Sequence, residues 1–130
     1  MGSEICIRDR PCSTENIASV IVELLERPTL NGIFHWAGNE IISRFDLGVK
    51  ILERFGFDPS RITPINLEAN FHKNSQRPKR LVFELSPLIN KVKTLPATLD
   101  QQMEALKVPD YLYGWYRENA DDPSKYILRI

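Results

Sequence analysis

Lys73, Arg77, Lys79 and Arg80 stand together in the run His72-Lys73-Asn74-Ser75-Gln76-Arg77-Pro78-Lys79-Arg80. Guanidinium forks match phosphate oxygens two at a time, so this run could hold a phosphate-bearing small ligand. It is also what a solvated surface loop looks like, because charge runs face water. These four residues are the candidate substrate-binding set. His35 and His72 could join Cys6 or Cys12 as metal ligands, but the spacings match no zinc pattern. His35 lies in the apolar run Ile33-Phe34-His35-Trp36-Ala37 and reads as a core histidine. Asp9, Glu15 and Glu84 could do acid–base work. No spacing brings two of them together, so solvated or capping roles are expected. The residues themselves point to no catalytic, metal or cofactor-binding set.

The motifs of common cofactor and nucleophile chemistry are absent from the sequence. The six glycines are scattered singly, whereas a phosphate loop needs them at fixed spacing to bring backbone N–H groups against the ligand. There is no G-x-S-x-G elbow. No tyrosine is followed by a lysine four residues on, so the Tyr–Lys pair of short-chain reductases is missing.

Several elements must position whatever site exists. Ser13 or Thr14 can cap a first helix whose apolar positions Ile17, Ile21, Leu24 and Leu25 form one stripe. Pro28 ends it. Asn31-Gly32 reads as a turn, and Ile33–Ala37 as a strand buried on both faces. Ser43 and Asp46 have capping spacing for a second helix, with Phe45, Val49, Leu52 and Phe55 inward and Gly56 as the left-handed residue at its end. Ile62 to Asn66 reads as a weak strand broken by Pro64, and Glu68 to Lys79 as a surface loop. Arg80 to Leu85 alternates as another strand, with Leu81, Phe83 and Leu85 on one side. Ser86-Pro87 opens a short helix. Thr98-Leu99-Asp100-Gln101 is a capping box for a further helix, with Met103 and Leu106 inward. The tail from Val108 crowds Tyr111, Tyr113, Trp115 and Tyr116, which should dock on the body or on a partner.

The chain has 130 residues, 42% hydrophobic and 26% charged, the make-up of one globular domain. Its 17 basic and 17 acidic residues balance, which argues against nucleic-acid binding and a polybasic membrane anchor. The apolar runs are too short to span a bilayer. No secretory signal opens the chain, so the expected location is cytoplasmic, with Cys6 and Cys12 as reduced thiols.

Several of these pieces occur in one order: Arg10-Pro11-Cys12-Ser13-Thr14-Glu15-Asn16-Ile17-Ala18, Gly32-Ile33-Phe34-His35-Trp36-Ala37-Gly38-Asn39-Glu40, and Ile42-Ser43-Arg44-Phe45-Asp46. Ile62-Thr63-Pro64-Ile65, Arg77-Pro78-Lys79-Arg80 and Leu85-Ser86-Pro87-Leu88 follow. This order resembles the C-terminal, substrate-side part of dTDP-4-dehydrorhamnose reductases, members of the extended short-chain dehydrogenase/reductase superfamily. It is also similar to the regulatory subunit of methionine adenosyltransferase. The resemblance runs over roughly residues 8 to 106. Pro11-Cys12 stands where the family has Pro-Thr, and Glu84-Leu85 where it has Leu-Asp.

The resemblance implies an α/β fold, the small C-terminal half of an extended short-chain reductase, with helices packed on a few buried strands and no dinucleotide-binding half. It implies residues 1–107 as a substrate-binding-like domain and 108–130 as an aromatic extension. The implied function is nucleotide-sugar recognition, with hydride chemistry supplied elsewhere; the alternative is a non-catalytic regulatory or interaction module. NAD(P)H belongs to the full-length family, and this chain is expected to bind no cofactor. The expected partners are a nucleotide sugar and either a cofactor-binding half or a second copy pairing along the Ile33–Ala37 edge, with no nucleic acid and no membrane.

Overall fold

The computed structural model describes residues 8–65, 80–85 and 87–126. It is an α/β fold: helices accompany a three-stranded sheet of order β2-β1-β3, with β1 at Arg8–Asp9, β2 at Ile42–Ser43 and β3 at Arg80–Leu81. β1 and β3 run parallel, with Arg8 opposite Arg80 and Asp9 opposite Leu81. The described helices are α1 (Thr14–Leu25), α2 (Arg44–Arg54), α3 (Leu99–Ala105) and α4 (Asp110–Asn119). None is long and apolar enough to cross a membrane. The chain divides into two compact units: Ile7–Ile42 with Pro78–Gln102, and Met1–Cys6 with Ser43–Arg77 and Met103–Ile130.

In the first unit Ser13 caps α1, its hydroxyl accepting from Asn16 N at 3.3 Å. The helix stops before Pro28 because the chain turns there, with Leu30 N donating to Arg27 O at 2.9 Å. Its core contribution differs from the stripe expected. Val20 is buried and Leu24 packs beside it, against Leu88, Val92, Phe34 and Trp36. Ile17, Ile21 and Leu25 face outward, Leu25 with 78% of its surface exposed. The helix is apolar on both sides, so periodicity alone does not choose the inner face. Each large side chain in this small core contributes about 1.5–3 kcal/mol by burial.

The segment Ile33–Ala37 forms no strand. Ile33 is 88% exposed, while Phe34 and Trp36 reach the core. The polar groups here are held by side chains and loops: Trp36 Nε1 donates to Asn16 Oδ1 at 2.8 Å and Asn39 N to Ala97 O at 3.0 Å. The expected buried strand is therefore not formed by this run. The strands themselves are half-buried or exposed, and burial lies beside them, at Val20, Ala37, Leu85, Leu88 and Leu99. Of the alternating set, Leu85 is buried, but Leu81 and Phe83 are exposed.

Side-chain pegs fix the irregular run 91–99. The Glu23 carboxylate accepts from Lys93 N at 2.7 Å and from Thr94 N and Oγ1 at 2.5 Å. Asn16 Nδ2 donates to Leu95 O at 3.0 Å. The Glu40 carboxylate accepts from Leu99 N at the start of α3. Thr98 and Gln101 form the expected reciprocal capping box, at 3.0 and 3.3 Å. Buried Gln102 donates to Pro11 O at 3.2 Å and Ala97 O at 3.1 Å.

In the second unit Ser43 caps α2 by accepting from Asp46 N at 3.0 Å. Gly56 follows its end in the left-handed region, φ +73°. The run 62–65 is not a strand; Pro64 removes a ladder donor from it. Of the aromatic tail, Tyr116 and Tyr126 dock on the end of α2, whereas Tyr111 and Trp115 stay exposed. Tyr116 OH donates to Phe55 O at 2.7 Å and Asp122 N to Gly56 O at 2.7 Å, so two carbonyls beyond the last helical turn find donors. Tyr116 and Tyr126 are buried, with ring centroids 5.4–6.2 Å from each other and from Phe55. Burial is the first cause that pushes the Tyr116 hydroxyl above its ordinary pKa. Asp121 accepts from Asp58 N at 2.7 Å and pairs with Arg61 at 2.8 Å.

Candidate functional site

Among the described residues, the features that converge on ligand chemistry lie along β1 and β3. In a parallel pair, residues in register share a face. Arg8 is paired in register with Arg80 and Asp9 with Leu81, so Arg10 and Val82 directly follow the paired residues of the two strands. A cavity of about 470 Å³ is lined by Arg10, Ile41, Arg80, Val82, Phe83 and Glu84, a size within the usual range for small-ligand sites.

The lining has distinct chemical parts. Arg10 and Arg80 bring two fixed positive charges. Arg10 Nε is buried with no hydrogen-bond partner, a donor left unspent at a cost of about 1–3 kcal/mol. Ile41, Val82 and Phe83 form an apolar wall. Phe83 is 52% exposed and stacks on His35, with centroids 5.2 Å apart and planes 16° from parallel. His35 is thus an exposed ring braced against a pocket wall, not the core histidine expected. Glu84 adds a carboxylate, which accepts hydrogen bonds only. Two cations, a flat ring and one acceptor suit a ligand with a phosphate bridge, a ring and hydroxyl groups.

Of the basic residues singled out in the sequence, Arg80 lines this cavity. Lys73, Arg77 and Lys79 lie outside the described residues, as do His72, Cys6 and the expected cap Ser86. Among the described residues no cluster of His, Cys, Asp and Glu could hold a metal ion. Cys12 donates to Asn16 Oδ1 at 3.6 Å, and burial pushes its thiol above the ordinary pKa. Asp9 accepts from its neighbour Arg10 N at 2.8 Å. Arg10 and Phe83 are the site residues the sequence did not single out as such. The available signal was the i, i+2 pair Arg8 and Arg10, which puts two arginines on one strand face.

A family model described as RmlD substrate binding domain matches residues 7–107. Methionine adenosyltransferase 2 subunit beta of Rattus norvegicus is 30% identical over 82 residues, covering 60% of this chain and 24% of the relative. The protein of the same name from Xenopus laevis is 30% identical over 67 residues, 48% of this chain and 20% of the relative. That from Xenopus tropicalis is 32% identical over 62 residues, 45% of this chain and 19% of the relative. The matched stretch therefore spans about a quarter or less of the curated relatives' length. No solved structure matches the chain.

Proposed function

The chain belongs to the RmlD substrate-binding domain family, and from that premise we propose that it is a substrate-side module that recognises a nucleotide sugar. Arg10 and Arg80 would hold the diphosphate; Lys73, Arg77 and Lys79 remain proposed contacts on chemical type alone. Phe83, braced by His35, would carry a ring of the ligand. The observation that carries this reading is the pairing of two arginines with an aromatic wall in one cavity. Hydride chemistry would come from another polypeptide segment. NAD(P)H would then be held by that other segment and not by this chain.

The test is calorimetric titration of the full chain with nucleotide sugars, with NADPH alongside. The expected outcome is saturable binding of a nucleotide sugar and none of NADPH. Arg80→Ala should weaken that binding by about 1.5–3 kcal/mol, the range for hydrogen bonds to charged groups. NADPH bound one-to-one at micromolar affinity would overturn the division of labour proposed here.

A second reading is a non-catalytic regulatory or interaction module. It is supported by the similarity to proteins named as beta subunits and by the outward apolar face of α1, where Ile17, Ile21, Val22 and Leu25 are exposed. Contiguous exposed apolar surface marks contact sites. Failure of every nucleotide sugar in the titration favours this reading over the first.

A further inference from the structure

We infer that Glu84 reads the hydroxyl-bearing sugar end of the ligand and makes the pocket select a nucleotide sugar over the free nucleoside diphosphate. The inference rests on the nucleotide-sugar reading of the same cavity.

A carboxylate is out of place in a simple anion site. Beside Arg10 and Arg80 it lowers the local positive potential and repels phosphate oxygens. Yet Glu84 lines the same cavity, and among the described residues it makes no ion pair with either arginine. It lies three residues past the end of β3, and the irregular run Val82-Phe83-Glu84 lines the cavity together with Arg80. The cavity therefore has both a basic part, Arg10 and Arg80, and an acceptor, Glu84.

Charge bookkeeping chooses between ligands. The diphosphate bridge of a nucleotide sugar carries two negative charges and ends in a neutral polyol. Two guanidiniums match the bridge, each able to take two oxygens. Neighbouring hydroxyls of the sugar can then both donate to one carboxylate, whose two oxygens only accept. A free nucleoside diphosphate ends instead in a phosphate whose second ionisation is largely complete at neutral pH. That terminal charge would face Glu84 and give it no donor. The carboxylate therefore rewards the diester and penalises the monoester, through an attractive contact and a repulsive one together.

Titration of the full chain with UDP, UDP-glucose, dTDP and dTDP-glucose tests this. The wild-type chain should bind each sugar nucleotide about tenfold more tightly than its matching diphosphate, the effect of one charge-assisted hydrogen bond. Glu84→Gln keeps size and shape but removes the charge, and it should bring that ratio to within about twofold, chiefly by tightening the diphosphates. Arg80→Ala should weaken all four and leave the ratio in place. A Glu84→Gln chain with the wild-type ratio overturns the inference while leaving the pocket a nucleotide site. A wild-type chain that binds none of the four overturns the nucleotide reading and the inference together. Exposed Glu84 permits the substitution without core loss, and matching thermal melts of the two chains check it.

Discussion

Gly38 and Gly56 stand at matching points of the two units. A Cβ at Gly38 would lie 1.9 Å from Pro11 O, and one at Gly56 1.8 Å from Asp122 O. In each unit, two distant backbone segments touch where no side chain fits. What surrounds the contact differs. Around Gly38 the neighbours are polar: Gln102 donates to Pro11 O itself; elsewhere in the unit the Glu40 carboxylate accepts from Leu99 N and the Glu23 carboxylate from Thr94 N. Around Gly56 the neighbours are rings, Phe55, Tyr116 and Tyr126, with the bonds from Tyr116 OH to Phe55 O, Asp122 N to Gly56 O and Val108 N to Tyr126 OH among them. Hydrogen bonds are directional and fix irregular backbone without covering it, so the first unit can hold loops in place and leave Phe83, Arg80 and Glu84 exposed. Ring burial is non-directional. It suits a tail whose work in this structure is to cover the end of α2.

The largest expected effect is at the glycines. Gly56→Ala combines a positive φ, worth about 1–3 kcal/mol of strain, with a backbone overlap of about 1–3 kcal/mol, so the loss should be about 2–6 kcal/mol. Gly38→Ala has only the overlap and should lose about 1–3 kcal/mol. Chemical denaturation of both variants against wild type measures this. A Gly38 variant less stable than the Gly56 variant would break the parallel between the two contacts.

Next in size are the partners that hold each contact. Gln102→Leu keeps the apolar volume but strips Pro11 O and Ala97 O of their donor, at about 1–3 kcal/mol for buried acceptors left unpaired. Tyr116→Phe keeps the ring and loses one bond to Phe55 O, at about 0.5–1.5 kcal/mol. The polar peg should therefore matter more than the tyrosine hydroxyl, and denaturation midpoints rank them. Equal losses would mean that the second unit depends on directed bonds as much as the first.

The features legible in the sequence are those decided within a few residues. Ser13, Ser43 and the Thr98–Gln101 box cap their helices as their spacing requires, and Gly56 takes the left-handed conformation that ends α2. Features decided at long range were not legible. An apolar run such as Ile33–Ala37 reads as a strand, because pattern cannot say that Trp36 will bond to Asn16. Nor can α1, apolar on both sides, announce that Val20 and not Ile21 turns inward. The pocket has the same character. The basic run advertised Arg80, but Arg10 joins it only through the parallel β1–β3 pairing. His35 and Phe83 meet only once the fold brings them together.

The smallest effect separates the units by acid. Glu23 accepts from Thr94 Oγ1, Lys93 N and Thr94 N, with Arg27 at 3.9 Å. These bonds, the Thr94 hydroxyl first, hold its carboxyl down at about 2, against an ordinary value of 4.5. A folded-state pKa below the unfolded one means that the unfolded chain takes up the proton first as pH falls. The stabilisation is then fully present above pH 4.5 and is lost as pH falls toward 2. In the second unit Asp121 is also lowered, by Asp58 N and by Arg61, and so is Asp58, by Ser60. Total acid sensitivity therefore cannot assign the effect, but a difference can. Glu23→Gln removes the charge and keeps an acceptor, and Asp121→Asn does the same in the other unit. Thermal melts of the wild type and both variants at steps from pH 6 to pH 2.5 give two differences. Wild type minus Glu23→Gln should shrink steadily below pH 4.5, because protonation makes the wild-type group as neutral as the variant's. If that difference stays flat across the window while the Asp121 difference shrinks, Glu23 is not the acid-labile peg of the first unit. The contrast between a pegged unit and a ring-packed one would then lose its clearest polar member.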